Sequence, residues 1–119
     1  MSNARKPPDF LNGVPELLLL RLLDRRPMYG YELVQAIRLA TDSALEFGEG
    51  SVYPVLHRLE ADGALAAKRE SVAGRSRVVY RVTPRGRARL AESAALWRRV
   101  AGAVQAVLQG GGHERPAVA

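Results

Sequence analysis

The sequence contains no cysteine, and only two of its 119 residues are histidine. Disulfides and thiolate metal sites are therefore excluded. Of the two imidazoles, His57 and His113, the second lies in a glycine-rich tail, so no metal site is expected. The carboxylates are scattered among basic residues, and the chain offers no set of side chains for nucleophilic or acid–base chemistry. We predict that the protein is not an enzyme and needs no cofactor.

Long hydrophobic runs are absent as well. The longest, Leu17 to Leu23, is interrupted by Arg21 and is far too short to cross a bilayer. It continues directly into Asp24 and two arginines, without the small-residue cleavage pattern of a signal peptide. The expectation is one domain that makes no membrane contact and stays in the reducing cytoplasm.

Acidic residues are scarce in one segment of a chain whose formal net charge is +6. Between Lys68 and Arg89 there are eight basic residues and one acid, Glu70. Sixteen of the eighteen positive side chains in the whole sequence are arginine, whose planar fork suits phosphate and guanine. Any one of these arginines is explained as ordinary solvated surface. A local cluster of eight favours a polyanion partner.

The pattern of apolar residues and helix or turn signals predicts three helices, a β-hairpin and a long final helix. Ser51 is the expected N-cap of the third helix, and Thr83 followed by Pro84 begins the last one. The fold class is thus mostly α with a small two-stranded hairpin. The predicted segments are an arm 1–12, helices 15–25, 29–41 and 51–62, strands 64–71 and 77–82, a helix 84–109, and a disordered tail 110–119.

The third helix has one buried stripe and one narrow polar face. Val52, Val55, Leu56 and Leu59 follow the spacing of a stripe that faces the core. The opposite face combines small residues with a few hydrogen-bond donors, which suits close approach to a DNA major groove. An ordinary solvent-exposed face is the alternative. That face consists of Ser51, Pro54, His57, Arg58 and Ala61, with Tyr53 at its edge.

The predicted hairpin has an apolar face and carries arginine at its tip. Val78, Tyr80 and Val82 alternate on the face that closes the core. Arg75 and Arg77 have no role in that core and are expected to be exposed. An arginine-rich hairpin after such a helix can follow DNA phosphates or enter a minor groove, although a purely structural ribbon is the alternative.

The last helix carries a heptad seam of apolar residues and spans about 25 residues, or roughly 38 Å. A domain of this size cannot cover a helix of that length, nor a first helix with leucine on most sides. Both helices are therefore expected to pack against a second copy of the chain. The predicted interface consists of Leu18, Leu22, Leu90, Trp97, Val104 and Leu108.

Three groups of residues resemble the PadR family of bacterial regulators, over about residues 13–100. They are Tyr29-Gly30-Tyr31-Glu32-Leu33, the run from Gly50 to Glu60 with Gly63, and Gly74-Arg75 with Tyr80 to Gly86. The resemblance is greatest to the short members that end in one C-terminal helix. It implies a homodimeric winged helix-turn-helix protein with a DNA-binding domain at 13–83 and a dimerisation helix at 84–109. Such proteins are usually repressors released by a small molecule.

The resemblance also implies roles for individual residues. It places Ser51, Tyr53 and Pro54 at the DNA, helped by Tyr29 and Tyr31, and it puts Arg75 in the wing. His57 departs from the family, which usually has lysine or arginine there, so no fixed cationic contact follows at that position.

Trp97 is the only tryptophan and lies on the heptad seam, flanked by Ala94 and Ala101. Short relatives can hold flat aromatic ligands between paired tryptophans, so these three residues are predicted to bind a planar aromatic inducer. A large aromatic residue that fills a dimer core is the alternative. Two other functions stay open, namely a protein–protein adaptor without DNA binding and a dimer that sequesters a small molecule.

Overall fold

A computed structural model describes residues 12–110, so most of the predicted arm and tail lies outside the described residues. The order of the elements follows the prediction, with one strand added. They are α1 Val14–Arg25, β1 Met28–Tyr29, α2 Gly30–Ala40, α3 Glu49–Ala61, β2 Leu65–Val72, β3 Arg75–Val82 and α4 Pro84–Leu108.

The core lies where α1, α2 and α3 meet above the sheet. Leu19, Leu33 and Leu56 are completely buried there. The leucine-rich α1 is largely covered by its own chain, because Leu20, Leu22 and Leu23 also belong to this core. The argument that α1 needs a second subunit was therefore wrong for most of the helix. Arg21 is exposed to solvent on the side of α1 that faces away from this core.

The sheet has three antiparallel strands in the order β1-β3-β2, one more than the sequence predicted. The additional strand β1 pairs Met28 with Tyr80 and Tyr29 with Val79. It was missed because two residues are too short to display an alternating pattern. The hairpin of β2, β3 and their turn is called the wing below. Its turn is Ala73-Gly74, with φ values of 52° and 79°, and not the five residues expected. Positive φ at both positions is the requirement of a tight hairpin turn.

The predicted apolar face of β3 is confirmed, because Val78, Tyr80 and Val82 all contact the core. Val79 on the opposite face is nevertheless 5% exposed. In the register Val79 is paired with Lys68 of β2 and with Tyr29 of β1. The ion pair of Glu70 and Arg81, at 2.6 Å, joins β2 and β3 diagonally on the same face of the sheet.

The beginning of α4 is fixed to the rest of the domain by its cap. The Thr83 hydroxyl accepts a hydrogen bond from the Gly86 amide at 3.0 Å and donates one to the Gly63 carbonyl at 2.6 Å. Gly86 is buried directly against the Ala64 carbonyl, where no side chain would fit. Leu90 completes the attachment, at 4% exposure in the core. Beyond these first turns α4 extends past the domain that it closes.

Candidate nucleic-acid interface

The outer face of α3 is open to solvent, as predicted. Val52, Leu56 and Leu59 are completely buried, whereas Pro54, His57 and Arg58 are exposed and Ser51 is half-buried. The helix begins two residues earlier than expected, because Gly48 is the N-cap and Ser51 lies inside the first turn. At 100° per residue, Gly50, Pro54 and Ala61 form the outermost ridge, with His57 and Arg58 on its two sides. The ridge is narrow and built of small side chains.

Tyr53 fixes α3 to α2 more than it projects from the surface. Its ring lies on the backbone of Gly30, and a methyl group at residue 30 would come within 2.6 Å of the Tyr53 hydroxyl oxygen. The ring also lies 6.2 Å from that of His57, at a tilted angle of 40°. Glycine at position 30 is therefore required by the close approach of Tyr53.

Two of the residues predicted to contact DNA, Tyr29 and Arg77, pack on each other. The Arg77 guanidinium lies 4.6 Å from the centre of the Tyr29 ring, a cation–π geometry. Arg77 is half-buried, which corrects the prediction that it is freely exposed. Its Nε is buried and has no hydrogen-bond partner among residues 12–110. Tyr31, in contrast, is 45% exposed and accepts a hydrogen bond from Gln35 at 3.2 Å.

A groove of about 310 Å³ lies between α3 and the sheet, and several of the residues predicted to contact DNA line it. Tyr29 and Arg77 form its sheet side, and Tyr53 and His57 form its α3 side. Arg69 and Ser76 of the wing lie at the same groove, where the Arg69 guanidinium donates to the Ser76 hydroxyl at 3.2 Å. Arg75 is exposed next to the wing turn, with its side chain available to a partner. The groove thus gathers four of the predicted contacts on one surface.

The basic cluster is smaller than the sequence implied, because part of it is paired within the chain. Arg81 binds Glu70, and this hydrogen bond lowers the pKa of the Glu70 carboxyl below its ordinary value. Arg87 contacts Asp24 at 3.5 Å, and Arg89 binds Glu16 at 2.8 Å. Within residues 12–110, no ion pair engages the remaining five basic side chains of the cluster. Those five are Lys68, Arg69, Arg75, Arg77 and Arg85.

The most extensive polar network joins α1, α3 and α4. The Glu16 carboxylate accepts two hydrogen bonds from Arg89, at 2.8 Å and 3.0 Å. It also accepts one from Arg58 at 3.4 Å, and Arg89 donates to Asp62 at 3.2 Å. We call Glu16, Arg58, Asp62 and Arg89 the Glu16 network. Hydrogen bonding to Glu16 raises the pKa of Arg89 above its ordinary value. The sequence carried no signal of this network, because its partners lie up to 73 positions apart.

The outer part of α4 displays an uncovered apolar stripe. Trp97 is 45% exposed, Val104 is 51% exposed and Leu108 is 75% exposed. Leu96, Val100 and Val107 complete the stripe. Leu22 and Leu90 do not belong to it, because both are buried in the core of their own chain, and Leu18 packs against that core. Of the predicted interface, only Trp97, Val104 and Leu108 are largely open to a partner.

A cavity of about 340 Å³ lies beside Trp97, between α4 and the beginning of α1. Its lining consists of Gly13, Val14, Glu16, Leu17, Ser93, Leu96, Trp97 and Val100. Ala94 and Ala101 are half-buried and do not line this cavity, although they lie one turn to either side of Trp97 on the same side of α4. Glu16 also lines a second cavity on the α3 side, with Ser51 and Arg58.

In the described part of the chain, no group of three histidine or carboxylate side chains could hold a metal ion. Between residues 12 and 110, no helix combines the length and apolar character that a membrane span requires.

Residues 19–92, more than half of the chain, match the family described as "Transcriptional regulator PadR-like family". The chain belongs to this family. Membership in this family shows that the protein is a transcriptional regulator and not an enzyme. It also agrees with the exposed face of α3 and the basic wing, which are suited to contact with DNA. The resemblance drawn from the tyrosine and glycine-serine motifs is thereby confirmed.

Individual proteins resemble the chain over different lengths. The sequence is 31% identical over 103 residues to an uncharacterized protein of Lysinibacillus sphaericus, covering 86% of this chain and 94% of that protein. It is 60% identical over 43 residues to the transcriptional regulator Rv3488 of Mycobacterium tuberculosis, a match that spans 36% of this chain and 40% of the relative.

Solved structures extend the likeness to the fold. The crystal structure of a PadR-like transcriptional regulator from Bacillus cereus superimposes with a TM-score of 0.76 at 29% identity, over 87% of this chain and 99% of that one. A PadR family regulator from Eggerthella lenta gives 0.70 at 31% identity, over 84% and 86% of the two chains. The protein is therefore a winged helix-turn-helix protein with a long C-terminal helix.

Proposed function

We propose that the protein is a ligand-responsive repressor that acts in the cytoplasm and binds a palindromic DNA operator as a homodimer. The observation that carries this proposal is the narrow, small-residue ridge of α3 beside the basic wing. A helix with small outward side chains can approach base edges closely, while a neighbouring arginine-bearing hairpin neutralises phosphates. We refer to α3 as the reading helix below.

The reading helix enters the major groove with Ser51 and Pro54 near its N-terminus. His57 and Arg58 flank the ridge and reach base edges or phosphates on either side. Arg75 contacts the phosphate backbone from the wing, and Tyr31 contacts DNA from the exposed side of α2. Tyr29, Tyr53 and Arg77 act mainly by holding the reading helix and the wing in register, because their side chains pack on one another or on Gly30.

A second copy of the chain covers the apolar stripe of α4. Six large apolar side chains exposed along one helix are more than the isolated leucines that a protein surface usually carries. Two-fold pairing of α4 places the two reading helices side by side, so that each meets one half-site. Half-sites about one helical turn apart, roughly 34–36 Å, then form a palindrome.

Substitutions at Tyr53 and Arg75 distinguish the two kinds of contact. We expect Tyr53→Ala to weaken operator binding more than binding to random duplex, because it releases the reading helix from α2. Arg75→Ala should weaken both about equally and reduce the slope of log affinity against log salt by about one unit. Gel-shift titrations at several salt concentrations measure both quantities.

Arg98→Ala is the matched control, since it removes one exposed arginine from the side of α4 away from the stripe and should change neither quantity. Equal, sequence-independent losses for Tyr53→Ala and Arg75→Ala would contradict the assignment of the reading helix. A protein adaptor without DNA binding would show no preference for any duplex before substitution.

The cavity beside Trp97 supports the inducer part of the proposal. In the dimer, Trp97 of each protomer faces the other along α4, so that a planar aromatic compound contacts the indole rings, with Ala94 and Ala101 at the pairing surface. Binding there favours a spacing of the reading helices that no longer fits the operator. The emission of the single tryptophan reports occupancy directly.

We expect at least one planar aromatic compound from a panel to quench Trp97 emission and to lower operator affinity at the same concentration. Quenching without any change in operator affinity would instead indicate a dimer that sequesters the compound. If no compound alters the emission, Trp97 is a core residue of the dimer and the inducer site is elsewhere or absent.

A further inference from the structure

The Glu16 network joins the reading helix to α1 and to α4, the helix that carries the apolar stripe. Arg58 and Asp62 lie one turn apart at the end of α3. The first contacts Glu16 of α1, and the second contacts Arg89 of α4. Glu16 and Arg89 close the link through two hydrogen bonds between a carboxylate and a planar guanidinium, a geometry that fixes both orientation and distance.

The link is more constrained than an ordinary surface ion pair. The side chain of Glu16 is 16% exposed and that of Arg89 is 34% exposed, so solvent screens their attraction only in part. Glu16 also lies at the wall between the Trp97 cavity and the α3-side cavity. A change at the α1–α4 junction therefore reaches the end of α3 through Glu16 and Arg58, beside the direct contact of Arg89 with Asp62.

We propose that Glu16 is a positioning residue for operator recognition, which sets the distance and rotation between the two reading helices of the dimer. This inference rests on the proposed function, because it requires dimeric binding to two half-sites. Glu16 itself does not contact DNA. Its effect appears in the spacing of half-sites that the dimer accepts, and not in how strongly each half-site is held.

DNA geometry makes that spacing measurable. Each added base pair moves one half-site by about 3.4 Å along the axis and rotates it by about 35°, since a full turn takes about 10 base pairs. A dimer with fixed reading helices tolerates such a change poorly. When α3 can shift relative to α1 and α4, the same two half-sites remain within reach at neighbouring spacings.

The experiment compares operators that carry identical half-sites at the selected spacing and at one base pair more or less. For the unmodified protein we expect a preference for one spacing of about tenfold, within the usual range of coupling between sites. Glu16→Gln keeps the side-chain volume but removes the negative charge and one of the two oxygens that accept hydrogen bonds from Arg89. We expect it to reduce this preference to about twofold. Because the half-sites do not change within the set, any altered contact of Arg58 with DNA cancels in the ratio.

Asp24→Asn is the matched control. Asp24 contacts Arg21 at 3.3 Å and Arg87 at 3.5 Å, and so joins α1 to α4 without contacting α3. It should keep the tenfold preference. If thermal melting shows that Glu16→Gln does not fold, Asp62→Asn tests the α3 end of the same network, since it removes the charge from the 3.2 Å contact with Arg89 and lies at an exposed position.

Two failures can be told apart in these data. If the unmodified protein binds no duplex specifically, the proposed function is wrong. If it binds with a sharp spacing preference and the folded Glu16→Gln or Asp62→Asn variant keeps that preference, the positioning role is overturned.

Discussion

We expect Val104→Glu to convert the proposed dimer into monomers and to abolish operator binding. Val104 is half exposed on the apolar stripe of α4, at a distance along the helix from the core of its own chain. Two-fold pairing places two new carboxylates in the interface, and a buried charge without a partner costs at least about 3 kcal/mol. Because the dimer would bury two such carboxylates, its dissociation constant should rise about 10⁴-fold. Sedimentation and gel-shift titration measure the two consequences.

Ala106→Glu is the control for this substitution, because it adds the same charge to the same helix on the face away from the stripe. It should leave the dimer intact. Val104 is a better site than Leu18, whose side chain packs against the core and whose replacement would disturb the fold as well. A Val104→Glu variant that sediments as a dimer and binds the operator normally would place the interface elsewhere.

Gly86→Ala should cause a large loss of stability, because the added methyl group meets backbone that cannot move aside. The methyl carbon would lie 2.7 Å from Val82 Cγ2 and closer still to the Ala64 carbonyl oxygen. That oxygen belongs to the backbone and cannot turn aside, so the first turn of α4 must move away from the sheet. We expect the free energy of unfolding to fall by about 3 kcal/mol and the melting temperature by roughly 10 °C or more.

Gly102→Ala provides the comparison within the same helix. No described atom outside its own helix lies within 4 Å of the added methyl group, and alanine favours helix over glycine. Its free energy of unfolding should rise by about 0.5–1 kcal/mol. Thermal or denaturant unfolding of the two variants decides the point. Equal stability of both would mean that α4 is not fixed to the domain at Gly86.

The sequence was most informative where a pattern repeats along one element. The stripe of Val52, Leu56 and Leu59 predicted both the buried and the open face of α3, because a single helical period determines them together. The cap of α4 was predicted equally well, because Thr83 and Pro84 act on their immediate neighbours in the chain. Patterns of this kind depend on local geometry alone, and the structure confirms these two, whereas Ser51, the other predicted cap, lies inside the first turn of α3.

Contacts between distant segments could not be predicted from the sequence in the same way. Glu16 and Arg89 meet only after α1 and α4 have packed, and β1 exists only because β3 lies beside Met28 and Tyr29. The same limitation made the basic cluster look larger than it is, since Arg81, Arg87 and Arg89 are paired with acids from other elements. Leu22 and Leu90 were assigned to the dimer because apolar spacing alone does not distinguish a chain's own core from a partner's.

Selection of bound duplexes from a random pool tests the central claim most directly. The unmodified protein is incubated with the pool at moderate salt, and the enriched sequences are aligned and then measured individually. We predict one enriched motif that is an inverted repeat, with half-site centres about one helical turn apart and affinity that falls linearly with salt on a log–log plot. Enrichment of no motif, with affinity governed by salt alone, would contradict sequence-specific recognition by the reading helix.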